Sequence, residues 1–212
     1  LNLNVNRLIE FKAAYVSKWQ SADGLLPELV FHGERGSEHG MAQLTPCYGG
    51  FYQIHGMTKN ITLFEKGLIK TNSNEAQPEF GVSINKIINK GWHEDDIKYR
   101  TDNAIKYVAK YVPSFKSATI GGPPLYGAQQ IPGDDPNLRV GEVSFPSKYY
   151  ARSEIIKASS ALTAANQILE KLMEEEIIET HKKLNNNNFL LNKISKNEID
   201  HLATVLAVER GY

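Results

Sequence analysis

Hydrophobic positions recur along this chain with two different periods, and the shifts between them predict its elements. Leu8, Phe11, Tyr15 and Trp19 fall at three- and four-residue spacing with Val5 and Val16 beside them, which predicts an amphipathic helix over about residues 6–20. Asp23-Gly24 ends it. Residues 25–31 form a short apolar run interrupted by Pro27, a strand start or an edge strand. Residues 32–40 carry three glycines among charged groups and read as a loop or a bulged strand. Residues 41–47 and 51–63 flank Tyr48-Gly49-Gly50, a β-hairpin pattern. Gln43, Thr45, Gln53, His55 and Thr58 interrupt its apolar positions, so one face meets water or a polar cavity. Gly67 marks a turn, residues 71–78 a polar loop, and residues 80–84 a further strand, with Ile84, Ile87 and Ile88 suggesting a helical turn after it.

Ile97, Ala104, Ile105, Val108 and Val112 share one face of a helix over residues 95–112. Asp95 and Asp96 lie in its first turn and Lys106 and Lys110 near its end, matching the helix dipole, and Pro113 stops it. Residues 118–168 then run loop, strand, helix. The turn-rich loop holds Gly121, Gly122, Pro123-Pro124 and Gly127 and closes on Pro132-Gly133-Asp134-Asp135-Pro136. The strand covers residues 138–145. The helix starts near Ser160, with Ser159 or Ser160 as its cap, and extends to about residue 183 before four asparagines break it. A last helix opens on a capping box, Ser195 with Glu198, and carries Ile199, Leu202, Ala203 and Leu206 on one face. The expected class is α+β: a twisted, mostly antiparallel sheet with packed helices and a C-terminal helical appendage. Residues 1–169 are read as the domain and 170–212 as the helical tail.

Charge narrows the partners. Twenty-four basic residues balance twenty-four acidic ones in 212, whereas a protein that tracks nucleic acid carries a basic excess. No apolar run approaches the ~18 residues of a membrane span. The single cysteine, Cys47, excludes an internal disulfide and fits a reducing, cytoplasmic setting. A chain that starts at Leu1 rather than methionine is expected to be a piece of a longer polypeptide.

Candidate chemistry is sparse. His32, His39 and His55 lie near Glu34, Glu38 and Cys47 in sequence, and a metal-dependent hydrolase would use such histidines. Their spacing matches no zinc pattern, so polar loop histidines are the plainer reading and no metal is expected. Cys47 beside His39 or His55 lacks an orienting third group for thiol catalysis, and a lone cysteine is more often a small buried hydrophobe. Arg35 and Arg152 are candidates for a fork on a substrate carboxylate, against a plain ion pair. His55 is the best single histidine, on a strand with polar neighbours. Tyr126, Gln129 and Gln130 bring hydrogen-bonding groups to the glycine loop. No G-x-G-x-x-G and no P-loop occurs.

From Ala118 to Ile168 the order of elements resembles the C-terminal part of the glycine and D-amino-acid oxidase-like FAD-dependent oxidoreductases. Gly122-Pro123-Pro124 through Ile131-Pro132-Gly133 is similar to that family's glycine/proline loop. Residues 138–145 resemble its second strand, and Tyr150-Ala151-Arg152-Ser153-Glu154 with the helix at Ser159-Ser160 resembles the segment that approaches the flavin. Arg35-Gly36 is similar to the Arg-Gly turn leading into the substrate domain. The resemblance implies the substrate-side domain of an enzyme that oxidises an amine or hydroxy acid by hydride transfer to FAD. The cofactor would be bound mainly by a missing FAD-binding domain. It implies Arg35, His55, Tyr126, Gln129 and Arg152 at the substrate, and Gly121, Gly122, Ser159 and Ser160 toward the cofactor, with the catalytic residue unassigned. The alternative is a non-catalytic binding or interaction domain.

Overall fold

The computed structural model describes residues 7–20, 26–71, 79–138, 141–154, 158–179 and 195–209, apart from the side chains of residues 71, 159 and 207. In chain order the strands are β1 Arg7–Lys18, β2 Leu29–Phe31, β3 Ala42–Pro46, β4 Phe51–Gly56, β5 Leu68–Thr71, β6 Thr119–Ile120, β7 Leu125–Pro132, β8 Glu142–Ser147 and β9 Tyr150–Glu154. The helices are α1 Val82–Lys90, α2 Glu94–Val108, α3 Ala161–Glu174 and α4 Lys196–Glu209, with 3-10 turns at Tyr48–Gly50, Pro113–Ser117 and Ala158–Ser160. The fold is α+β with antiparallel strand pairs. It divides into two compact units. One comprises Phe11–Gly67, Glu79–Ala128 and Lys193–Tyr212; the other comprises Leu1–Glu10, Leu68–Pro78 and Gln129–Asn192.

β1 replaces the helix expected over residues 6–20. Eleven of its twelve residues are buried or half-buried, on both faces. In such a strand apolar residues occupy both faces, so they also fall at three- and four-residue spacing, which carries no helical information. The strand period was present in the odd positions Ile9, Phe11, Ala13, Tyr15 and Trp19. Bilateral burial favours the extended chain, because a surface helix would leave half of this segment in water.

In the first unit the strands pair antiparallel in the order β2-β3-β4-β1, with β6 on the far side of β1. The hairpin predicted around Tyr48-Gly49-Gly50 forms, with Leu44 opposite Ile54 and Gln43 opposite His55. Its second strand ends at Gly56, and the chain turns through residues 58–66 where the sequence suggested continued extension. Thr62 explains part of this: its hydroxyl accepts from the Gly56 N–H at 3.2 Å and folds the chain back. β2 is short and lies at the edge after Pro27, as expected.

One face of this sheet carries Ala13, Tyr15, Trp19, Leu44, Tyr52 and Ile54, all buried, and packs on Ala104, Ile105 and Val108 of α2 and on Phe115. Trp19 meets Tyr52 and Phe115 edge-on at 5.4 and 5.1 Å. α2 starts one residue before the expected Asp95 and ends four residues before Val112, and Pro113 opens the following 3-10 turn. The strand expected over residues 80–84 is instead the start of α1, whose only buried residue is Ile84.

In the second unit the first four residues of β1 pair with β5, Ile9 opposite Ile69. β8 and β9 form a hairpin with a bulge between Ser144 and Ser147, and α3 packs on β8. Much of the glycine/proline segment expected as loop is strand β7, in which Ile131 and Pro132 are buried. α3 starts beside Ser160 as expected but ends at Glu174; residues 180–194, including the predicted continuation and the asparagine break, lie outside the described residues. α4 opens on the predicted capping box, with Ser195 N–H donating to Glu198 Oε2 at 2.7 Å and Glu198 N–H to Ser195 Oγ at 3.3 Å. The predicted stop at Gly211 also lies outside the described residues.

Candidate functional site

Strand alternation separates the two faces of the β3–β4 hairpin. Along β4 burial alternates without exception, Tyr52, Ile54 and Gly56 inward toward α2, Phe51, Gln53 and His55 on the other face. That second face is polar: Gln43 lies opposite His55, and Thr45 opposite Gln53. At its edge one oxygen of Glu28 accepts from Gln43 Nε2 and from Thr45 Oγ1, each at 2.7 Å. His55 is half-buried, and its Nδ1 is 3.0 Å from the Ala13 carbonyl. That contact fixes Nδ1 as the protonated nitrogen and leaves Nε2 as an acceptor in the neutral ring.

Just past β4, Met57 gathers two cations. Arg35 Nη1 lies 3.4 Å and Lys12 Nζ 3.8 Å from its sulfur. Arg35 arrives on the glycine-rich loop between β2 and β3, which is built by close backbone approach. A Cβ on Gly33 would come 1.7 Å from the His39 carbonyl oxygen, and one on Gly40 would come 2.3 Å from that of Met57. The loop is tied down by Gly36 N–H to the Met57 carbonyl and by the Tyr107 hydroxyl donating to the Gly40 carbonyl. Arg35, Lys12, Met57 and His55 thus cluster where the polar face meets a rigid loop. Helical spacing over residues 6–20 gives Lys12 no role; on a strand, Lys12 falls on the even-numbered face, away from the core positions Ala13 and Tyr15.

The other expected residues stand elsewhere. Tyr126 joins an aromatic group, its ring 6.1 Å from both Phe11 and Trp92. Gly121 donates to the Val16 carbonyl at 2.9 Å, and a Cβ there would come 2.8 Å from the Ser17 carbonyl carbon. Its glycine is thus demanded by the approach to β1. Gly122 is half-buried in the bend that follows. Gln129 is half-buried on β7 in the second unit. Also in that unit, Arg152 Nε lies 3.1 Å from Glu154 Oε1, the ion-pair reading of that arginine. Burial pushes the Glu154 carboxyl up, against the pull of Arg152. Ser160 occupies the N-cap position of α3 without a capping bond, and no acidic residue lies in that first turn; the side chain of Ser159 lies outside the described residues.

His32 and His39 are exposed, and no three potential metal ligands gather among the described residues. Cys47 is exposed rather than buried. Partial desolvation pushes its thiol up, away from the thiolate a nucleophile needs. No described helix is long and apolar enough to cross a membrane. No family model matches the chain, and neither a curated protein nor a solved structure is significantly similar to it.

Proposed function

We propose that this chain supplies the substrate-side wall of an FAD-dependent oxidoreductase acting on an amine or hydroxy acid. The observation that carries the reading is the polar face of the β3–β4 hairpin, bounded by the cations Arg35 and Lys12 at Met57. A sheet that is packed by a helix on one side and presents glutamines, a threonine and an oriented histidine on the other is a preorganised wall for a polar ligand.

Arg35 and Lys12 hold the substrate carboxylate through charge-assisted hydrogen bonds. The Nε2 of His55, its ring fixed through Nδ1, accepts a hydrogen bond or proton from the amine or hydroxyl next to the carbon being oxidised. Flavin, when bound, supplies the hydride acceptor. No dinucleotide-binding motif occurs in the sequence, so in this reading FAD is held mainly by sequence outside this chain.

The test is the visible absorbance of the product of the whole reading frame that encodes this chain. Expected is stoichiometric flavin that bleaches under anaerobic amino or hydroxy acid, with Arg35→Lys raising KM and His55→Ala lowering kcat. A full product without flavin overturns the reading, as does stoichiometric FAD on the 212-residue chain alone. The rival, a non-catalytic interaction domain, draws on α4, where Ile199, Leu202, Val205 and Leu206 are exposed; the flavin spectrum separates the two.

A further inference from the structure

The first unit holds a cavity of about 360 Å³ on the helix-covered side of its sheet, away from the polar face. Its walls come from α1 and the first turns of α2, together with Phe64 and Trp92. The volume falls in the range of small-molecule sites, about 300–1,000 Å³. Ile84, Ile87, Phe64 and Trp92 supply its apolar part, with the Phe64 and Trp92 rings 5.8 Å apart.

Arg100 is the charged group set into this wall. Its Nη1 donates to the Ile61 carbonyl at 2.8 Å, and its guanidinium lies 4.1 Å from the centre of the Phe64 ring. It is half-buried, and no described carboxylate comes within ion-pair distance. The ring of Trp92 lines the same wall, and its indole N–H is buried and unpartnered among the described residues. An orphaned buried donor costs roughly 1–3 kcal/mol. A half-buried guanidinium beside two aromatic rings, in a hollow of ligand size, defines the chemistry the site can take. At the rim Lys86 and His93 face Glu65 and Asp96, all four exposed. These exposed side chains are screened by water, so the half-buried Arg100 carries the least screened charge in the lining.

We propose that this cavity binds a small organic anion with a flat apolar body, an aryl carboxylate or aryl phosphate, whose charged end pairs with the Arg100 guanidinium. The body lies against Phe64, Trp92 and Ile87. This site is independent of the flavin reading and stands if that reading fails.

The experiment is a titration of the 212-residue chain, followed by the indole resonances of its two tryptophans in a ¹⁵N–¹H correlation spectrum. Trp19, whose indole donates to Ser117 Oγ, is the internal reference. Phenylacetate or phenyl phosphate is expected to shift the Trp92 resonance saturably and leave Trp19 in place; the tighter of the two decides between carboxylate and phosphate. Arg100→Gln is expected to weaken binding at least tenfold. Because Arg100 also holds the Ile61 carbonyl, Ser83→Phe is the second variant: it fills the mouth from an exposed position on α1 and should abolish binding in a folded protein. Absence of any shift with both anions overturns the proposal, as does benzylamine binding as tightly as phenylacetate, or unchanged affinity in folded Arg100→Gln or Ser83→Phe.

Discussion

Arg7 Nε lies 2.7 Å from Glu154 Oε1, with the two side chains 3% and 2% exposed. Neither atom makes a well-aligned hydrogen bond, so the contact is one of charge more than of directed bonding. Such a pair recovers only part of its desolvation cost, yet removing one partner leaves the other's burial less compensated. Glu154→Leu is therefore expected to destabilise the protein by about 3 kcal/mol in urea unfolding. The double variant Arg7→Met/Glu154→Leu should recover most of that loss. Arg152→Ala, at a side chain 21% exposed, should cost much less than Glu154→Leu. A double variant no better than Glu154→Leu would refute this account.

Tyr15 sets an alkaline limit. Its ring is fully buried, its hydroxyl donates to the Ile61 carbonyl, and burial pushes its pKa up to about 12 against the opposing pull of Arg100. An acid with a raised pKa is favoured neutral in the fold. Its stabilising contribution is complete below the unfolded value near pH 10 and disappears as pH rises from there through about 12. The loss amounts to about 2–3 kcal/mol. Burial raises the Tyr107 hydroxyl as well, so the two act in the same direction. Tyr15→Phe should flatten this slope in pH-dependent chemical unfolding and leave the part due to Tyr107. At neutral pH it should cost only about 1 kcal/mol, since Arg100 still serves the Ile61 carbonyl.

The elements best read from sequence are those that local chemistry decides. Tyr48-Gly49-Gly50 made the hairpin legible, and Ser195 with Glu198 the start of α4. Gln43, Gln53 and His55 showed that one hairpin face was polar, because strand alternation is itself a local pattern. β1 was misread because its burial comes from both sides, and nothing within twelve residues states that. β7 differs from the loop its glycines and prolines suited; Pro132, with Ile131, is buried in it instead. Arg100 was passed over because its importance lies in Phe64 and Ile61, more than thirty residues away. Its neighbours Ile97 and Ala104 marked the helix and gave no hint of the cavity.

The α4 capping box is predicted to be sensitive to acid. Hydrogen bonds from Ser195 hold the Glu198 carboxyl below the usual carboxylate range. A depressed pKa contributes stability above the unfolded value, and that contribution fades as pH falls through the folded one. Amide exchange in the first turn of α4 should therefore accelerate on acidification, and Ser195→Ala should lower protection there about five-fold at neutral pH. In Glu198→Gln the acid sensitivity should vanish. Equal pH dependence in both proteins would refute the assignment.

Gly40 tests whether the loop that presents Arg35 is rigid by construction. A methyl group at this position meets the Met57 carbonyl oxygen at 2.3 Å, and both are backbone, so no side chain can swing aside. Relief requires the loop to move away from Met57, the residue that Arg35 and Lys12 share. It would also pull against the bond from Tyr107 to the Gly40 carbonyl. Gly40→Ala is therefore expected to cost about 3 kcal/mol, at the upper end of ordinary single substitutions. Gly127→Ala is the control: its Cβ meets nothing within 4 Å, so the change should stay within about 0.5 kcal/mol. Because Arg35 is displaced along with its loop, Gly40→Ala should also perturb the methyl resonance of Met57, while Gly127→Ala leaves it unmoved. Should Gly40→Ala prove as mild as its control, the loop is compliant and Arg35 is not held in place by the backbone around it.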